Sequence, residues 1–146
     1  MKLLTTLGLL AAMATPALAE DMTIEMLNKR DDGAKMVYSE DIARVDVGDT
    51  ITWVPTAKGH NVEFIAGPQM NALPKNSKIN NFHSVEFKTP GVYLYGCTPH
   101  LNMGMLGLII VGDDLHNLEK IRDVKLSRIA KSVLDDLIKI AKSYPK

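Results

Sequence analysis

One cysteine, two histidines and a methionine stand at spacings that suit a metal site. The stretch YGCTPHLNMGM contains the only cysteine of the chain, Cys97, and His100 three positions later. Met103 and Met105 end the stretch, and His60 lies far upstream beside a glycine. Soft sulfur donors favour copper, and two imidazoles, a thiolate and a weak axial thioether form the donor set of a blue-copper site. Zinc has no preference for a thioether, and iron–sulfur clusters need more cysteines. The sequence therefore predicts a copper site.

The N-terminal segment, residues 1–19, has the composition of a cleavable signal peptide. Lys2 supplies a positive charge, an apolar run of about a dozen residues follows, and the sequence ALA ends the segment. The apolar run is too short to span a bilayer. We expect cleavage after Ala19 and export of residues 20–146 as a single domain.

In an exported protein, the presence of a single cysteine needs an explanation. Disulfides form readily outside the cytoplasm, and one cysteine cannot form an internal one. Ligation of a metal would explain how the Cys97 thiolate survives there. The alternatives are a buried apolar residue and a thiol nucleophile paired with His100. No carboxylate or amide is placed by the sequence to orient that histidine, so metal ligation is favoured. We assign neither His83 nor His116 to the metal.

Charge and hydropathy exclude two classes of partner. The chain has 17 basic and 17 acidic residues, so it lacks the basic footprint of a nucleic-acid-binding protein. No apolar run after the first segment is long enough for a membrane span. We expect a soluble monomer that binds neither nucleic acid nor membrane.

Short β-segments separated by turns fill the chain from about residue 22 to 111. Their density predicts an all-β-dominated fold, a sandwich or a small barrel. Gly48-Asp49 reads as a turn between two of the strands. The predicted segments are MTIEML, IARVDV, TITWV, NVEFI, HSVEF, VYLYG and GLIIV.

The last third of the chain, from about residue 113 to 143, changes to a helical period. Asp113 or Asp114 can cap a first helix, and Ser127 can cap a second. About thirty residues cannot bury a core alone, so we expect both helices to pack on the β-domain. The apolar positions are Leu115, Leu118 and Ile121 in the first helix, and Leu126, Ala130, Val133, Leu134, Leu137 and Ala141 in the second.

The β-segments place the candidate ligands in two loops. Cys97 follows the run VYLY and therefore ends a strand, and the next strand begins near Gly107. The intervening loop carries Cys97, His100 and a methionine together. His60 must then come from a neighbouring loop, just before the strand NVEFI.

The pair GHNVEF and CTPHLNMGM resembles the cupredoxins, the type 1 blue copper proteins, and among them most closely the pseudoazurins. The resemblance extends over the mature chain, through MLNK, GDTITWVP, SKIN, PGVY and the two C-terminal helices. It implies a Greek-key β-sandwich with one copper per chain, ligated by His60, Cys97, His100 and Met105. Amicyanins have a shorter loop, whose spacing would select Met103 instead.

The resemblance also implies a function. It suggests a soluble one-electron carrier of the bacterial periplasm, not an enzyme, that serves a denitrification-type reductase. The alternative is a periplasmic copper-binding or delivery protein without a redox role, which would bind Cu(I) and stay colourless. A copper enzyme such as a nitrite reductase would need a second metal centre, for which four histidines leave no room.

The same resemblance directs attention to the surface around His100. We expect redox partners such as a copper nitrite reductase or a cytochrome to dock there, on an apolar rim formed by Pro99, Leu101 and Met103. The family commonly has a lysine before the cysteine, where this chain has Gly96. The candidate steering charges are Lys29, Arg30, Lys58, Lys75 and Lys78.

Two polar residues directly follow ligands. Asn61 comes after His60, and Thr98 comes after Cys97. A hydrogen bond between them would fix the two ligand loops relative to each other. We therefore expect Asn61 and Thr98 to join the loops.

Overall fold

The computed structural model describes residues 20–143. The predicted signal segment, residues 1–19, lies outside the described residues, so its cleavage stays a prediction. Eight strands and two α-helices form the fold, with short 3₁₀ turns at Met70–Ala72 and Thr98–Met103. The strands are β1 (Asp21–Lys29), β2 (Lys35–Tyr38), β3 (Ile42–Val45), β4 (Thr50–Val54), β5 (Glu63–Ala66), β6 (His83–Glu86), β7 (Gly91–Gly96) and β8 (Leu106–Val111). The helices are α1 (Leu118–Arg122) and α2 (Arg128–Ser143).

The strands form two four-stranded sheets that pack face to face. The order is β2-β1-β4-β6 in the first sheet and β3-β8-β7-β5 in the second. The pairs β1–β4 and β3–β8 are parallel, and the other pairs are antiparallel. Strands that are neighbours in sequence often lie in different sheets, so the chain crosses repeatedly between the two layers. The predicted β-sandwich with C-terminal helices is confirmed.

Strands β7 and β8 are buried on both faces, which explains why both read as continuous apolar runs. Tyr93 and Tyr95 of β7 point into the core between the sheets. Val92 and Leu94 point the other way, into a second apolar cluster with the helices. The second sheet is thus the central layer of the molecule, and it carries the stretch with Cys97 at one end.

Helix α2 covers the outer face of the second sheet. Its buried stripe consists of Ala130, Leu134, Leu137, Ile138 and Ala141. The predicted Ser127 cap is confirmed, because its Oγ accepts the Ala130 N–H at 3.3 Å. None of the described helices has the length and apolar character needed to cross a membrane.

The predicted cap of the first helix is wrong. Asp113 adopts a left-handed conformation with φ of 55° in the turn after β8, and Asp114 accepts the backbone N–H of His116 at 2.8 Å. The helix starts only after Asn117. The Asn117 amide is buried and bonds both backbone groups of Val92, at 2.8 Å each, so it anchors α1 to β7.

The predicted turn at Gly48-Asp49 is confirmed, and one strand lies outside the predicted segments. The predicted segments do not include strand β2, a four-residue run KMVY in which Met36 has a positive φ of 50°. The turn at Gly48, with φ of 102°, does not join a hairpin. It passes the chain from β3 in the second sheet to β4 in the first.

Candidate metal centre

The loop between β7 and β8 is closed by its own backbone. The Cys97 N–H donates to the Met105 carbonyl at 3.0 Å, which extends the β7–β8 ladder by one pair. Within the loop, the His100 N–H donates to the Cys97 carbonyl at 3.0 Å, and the Met105 N–H donates to the His100 carbonyl at 3.2 Å. The spacing of these three residues is therefore built into one tight turn.

His60 reaches the same place from the neighbouring strand. It lies three residues before β5, which pairs with β7 in the register Glu63 to Gly96. The beginning of β5 and the end of β7 are thus side by side, and so are the ligand candidates His60 and Cys97. The pairing of two strands converts a long separation in sequence into a contact.

Three donor atoms converge at this edge of the sandwich. The Cys97 Sγ lies 3.7 Å from Nδ1 of His60 and 3.5 Å from Nδ1 of His100. All three atoms lie within 4.8 Å of one another. His60 and Cys97 are fully buried, whereas His100 is partly exposed. One ion could contact all three atoms.

The orientation of His60 is fixed by a residue of the first sheet. Its Nε2 lies 2.8 Å from Oδ1 of Asn28 at the end of β1. Because an amide oxygen only accepts, Nε2 is the protonated nitrogen. Nδ1 then keeps a free lone pair that faces Cys97, which is the tautomer a metal ligand requires.

The two methionines differ sharply in burial. Met105 is 0% exposed and packs in the core with Cys97, whereas Met103 is 58% exposed. A thioether needs access to the pocket to act as a ligand. Burial therefore favours Met105 as the axial candidate, and Met103 has the exposure expected of a surface rim.

The surroundings of the site disfavour the charged forms of the His60 imidazole and the Cys97 thiol. Burial lowers the pKa of His60, and the neighbouring His100 lowers it further. Burial also raises the pKa of the Cys97 thiol, and the backbone N–H groups of Asn61 and His100 partly oppose this rise. A soft cation would balance a thiolate between two neutral imidazoles, so these residues fit copper.

The predicted link between the ligand loops is confirmed. The Thr98 N–H donates to Asn61 Oδ1 at 2.8 Å, and Asn61 Nδ2 donates to Thr98 Oγ1 at 2.9 Å. The Thr98 hydroxyl in turn donates to Glu63 Oε2 at 2.7 Å. A double hydrogen bond thus ties the residue after His60 to the residue after Cys97.

The loop between β5 and β6 supports the His60 segment from its other side. The Asn80 N–H donates to the His60 carbonyl at 2.9 Å, and Asn80 Oδ1 accepts the Gly59 N–H at 2.7 Å. Ser77 Oγ accepts the Val62 N–H at 2.8 Å. Sequence reasoning found neither Asn80 nor Asn28 as a partner of the site, since neither lies near a ligand in the chain.

The predicted steering lysines Lys29, Lys58, Lys75 and Lys78 are all exposed. Arg30 differs from them, because it bonds Asp32 and Asp41 at 2.8–3.0 Å and is a structural ion pair. Two carboxylates therefore offset its charge, and its role as a steering charge stays a prediction.

The packing around position 96 explains why this residue is a glycine. A Cβ there would approach Leu101 Cδ1 to 2.7 Å and the Met105 carbonyl oxygen to 3.1 Å. A side chain at position 96 would therefore collide with Leu101 and the Met105 backbone.

The other two histidines lie elsewhere in the described chain. His116 bonds Asp114 through Nδ1 at 2.9 Å, and the His83 ring lies 6.0 Å from the Trp53 ring. Neither belongs to the cluster formed by His60, Cys97 and His100.

Comparison with known proteins gives consistent matches. A family model described as copper binding proteins of the plastocyanin/azurin family matches residues 24–112. The pseudoazurin of Paracoccus pantotrophus is 40% identical over 131 residues, covering 86% of this chain and 87% of that protein. The pseudoazurin of Methylorubrum extorquens is 36% identical over 133 residues, covering 90% and 89%. The crystal structure of native pseudoazurin from Hyphomicrobium denitrificans has a TM-score of 0.76 and 34% identity, covering 82% of this chain and 97% of that chain.

Two packed sheets that gather a thiol and two imidazoles at one end define a cupredoxin. The family model and the relatives identify the family within this class. The chain belongs to the plastocyanin/azurin family of copper-binding proteins, and within that family to the pseudoazurins. Its cofactor is copper.

Proposed function

We propose that the protein is a periplasmic blue copper protein that carries single electrons between redox partners and is not an enzyme. His60, Cys97 and His100 hold the copper in this proposal, and Met105 provides the axial thioether. Bound copper supplies the one-electron Cu(II)/Cu(I) couple. The proposed acceptor is a denitrification-type reductase such as a copper nitrite reductase, and a cytochrome is the other class of partner.

The observation that carries this proposal is the convergence of Nδ1, Sγ and Nδ1 within 4.8 Å. Strand pairing and side-chain bonds hold these atoms in place from both sheets, through Asn28 and Asn61. A frame of this kind limits how far the donors move when the charge of a bound ion changes. Small rearrangement is what a one-electron carrier needs.

His100 is the proposed exit for the electron, because it is the donor residue with access to solvent. Pro99 and Met103 are exposed beside it. This apolar surface allows a partner to approach the imidazole closely without displacing tightly bound water. Exposed lysines such as Lys58 would then speed the encounter with an acidic partner.

Loading mature protein with Cu(II) tests the proposal directly. We expect one copper per chain, intense blue absorption from the thiolate, a narrow copper hyperfine splitting and a reversible one-electron wave. Cys97→Ser is the control and should lose the blue colour while keeping the far-UV circular dichroism of the fold. A protein that binds only Cu(I) and stays colourless would instead be a delivery protein.

The identity of the partner has its own test. Stopped-flow mixing of the reduced protein with an oxidised copper nitrite reductase should develop the blue band, as Cu(I) becomes Cu(II), at a rate that saturates with reductase concentration. A reductase that is not oxidising the carrier under these conditions, while a cytochrome exchanges electrons rapidly, would move the proposal to the cytochrome.

Localisation is tested by fractionation of expressing cells. The protein should appear in the periplasmic fraction, and its N-terminal sequence should begin at Glu20. Full-length protein retained in the cytoplasm would contradict both the export and the cleavage site.

A further inference from the structure

Three tyrosines of the inner core have their hydroxyl groups in different environments. Tyr38, Tyr93 and Tyr95 are at most 6% exposed. The Tyr38 hydroxyl donates to the Asn61 carbonyl at 2.8 Å, and the Tyr93 hydroxyl donates to the Thr89 carbonyl at 3.2 Å. The Tyr95 hydroxyl makes no hydrogen bond of normal geometry within the described residues. Removing the hydroxyl oxygen from each tyrosine in turn therefore compares three single-atom changes that differ in the hydrogen bond lost.

The Tyr38 bond connects the two sheets behind the metal centre. Tyr38 ends β2 at the edge of the first sheet, and Asn61 lies in the segment leading into β5 of the second sheet. The ring of Tyr38 is held by the Tyr95 ring, with centroids 4.7 Å apart. The hydroxyl is therefore a rigid donor in a buried place, where an unmade bond is costly.

Asn61 is the residue on which both ligand loops depend. Its side chain makes two hydrogen bonds to Thr98, beside Cys97. Its backbone N–H belongs to the peptide bond between His60 and Asn61. That peptide is held on one side, since the His60 carbonyl accepts the Asn80 N–H at 2.9 Å. The Tyr38 hydroxyl holds the next peptide, through the Asn61 carbonyl. Fixing the peptides before and after Asn61 leaves its backbone little freedom to rotate.

We propose that Tyr38 is a positioning residue for the copper centre, which acts by holding the Asn61 carbonyl so that Asn61 is aimed at Thr98 and Cys97. Tyr38 touches none of the donor atoms in this inference. Tyr38 works through Asn61, and the inference rests on the proposed ligand set. The bond spans the interior from β2, so the first sheet takes part in shaping a site whose donors lie in loops attached to the second.

The test uses three single-atom deletions, Tyr38→Phe, Tyr93→Phe and Tyr95→Phe, each in the mature protein. Only Tyr38→Phe should change the ratio of the thiolate absorption bands and the copper hyperfine splitting, and it should weaken copper affinity about tenfold. In the copper-free protein it should also speed amide hydrogen exchange of Thr98 by about tenfold, because the acceptor Asn61 is less well held. Tyr93→Phe removes an equivalent bond at the far end of β7 and should alter only stability.

The outcomes separate the positioning role of Tyr38 from a general effect on the core and from an error in the ligand assignment. A Tyr38→Phe protein with the wild-type spectrum, affinity and Thr98 exchange would overturn the positioning role. Equal changes in all three variants would also overturn it, since they would reflect a general loosening of the core. His60→Gly is included as a separate check on the ligand set, because an unchanged copper spectrum there would refute the ligand proposal whatever Tyr38 does.

Discussion

Replacing Pro99 with alanine should raise the reduction potential of the copper. The turn Thr98–Met103 has Cys97 at its N-cap position, and Pro99 is its second residue. A side chain at the N-cap normally accepts an N–H from the second or third residue of the turn. Here the third N–H, from His100, donates to the Cys97 carbonyl at 3.0 Å and also helps to lower the pKa of the Cys97 thiol, whereas the second does not exist because proline has none.

The missing donor sets the size of the effect. The Thr98 N–H is already bound to Asn61, so position 99 is the place where a new N–H can reach the sulfur from this turn. A hydrogen bond to a ligating thiolate withdraws electron density from sulfur and favours the reduced metal. A net hydrogen bond is worth about 1 kcal/mol, which corresponds to about 40 mV for one electron. Pro99→Ala should therefore raise the potential by some tens of millivolts.

Protein-film voltammetry on wild type and Pro99→Ala measures this shift. Pro90→Ala is the matched control, since Pro90 is an exposed proline just before β7, at the end of the strand away from Cys97. Its potential should stay at the wild-type value. An unchanged or lower potential in Pro99→Ala, with the blue spectrum intact, would refute the missing-donor reasoning and leave Pro99 only the role of stiffening the loop.

Three further outcomes are expected. Met105→Gln should retain copper but shift its spectrum and potential strongly, because the axial ligand tunes the potential, whereas Met103→Leu should leave both nearly unchanged; the reverse pattern would show that the axial assignment is wrong. Lys58→Glu should slow electron transfer to an acidic partner roughly threefold to tenfold at low salt. That effect should fade as the Debye length shortens from about 30 Å at 0.01 M to about 3 Å at 1 M, while Lys120→Glu on α1 has no effect; slowing that is independent of salt would argue against steering. Burial lowers the pKa of His83, so the unfolded chain takes up this proton at a higher pH than the folded one, and the free energy of unfolding should fall as pH drops below about 6.5. Urea titrations should show a smaller fall for His83→Phe, and an equal fall would remove His83 from the pH dependence.

The parts of the site that are local in sequence could be predicted from the sequence. Cys97, His100 and Met105 share one loop between two apolar strands, so their spacing alone brings them together. Asn61 and Thr98 could be predicted for the same reason, since each directly follows a candidate ligand. What strand pairing adds is the contact between the two loops.

The partners that come from other parts of the fold could not be predicted. Asn28 ends β1, Tyr38 ends β2 and Asn80 lies in the β5–β6 loop. Each reaches the site only through packing between sheets or between a loop and a strand. A polar residue at a strand end or in a loop is also common without any such role, so its type carries no signal.

Local turn signals leave the path of the chain open for a similar reason. Gly48-Asp49 is a genuine turn signal, but a turn does not specify whether the next strand pairs with the previous one or joins the opposite sheet. The pair Asp113-Asp114 resembles a helix cap, yet the left-handed conformation of Asp113 makes it part of the turn that ends β8. Local composition indicates that the chain changes direction at such points, and long-range packing decides where it goes.

The arrangement of supports around the donors explains why a small protein can hold its site nearly fixed. His60 is bonded to Asn28 through its ring and to Asn80 through its backbone carbonyl, so neither rotation of the ring nor movement of the segment is free. Cys97 is held by its ladder bond to Met105 and by the neighbouring Asn61–Thr98 link. His60 and Cys97 are thus each restrained by two separate contacts, and moving either one requires breaking both. A site restrained in this way changes little when an electron arrives or leaves, which is the physical basis for assigning it to electron transfer.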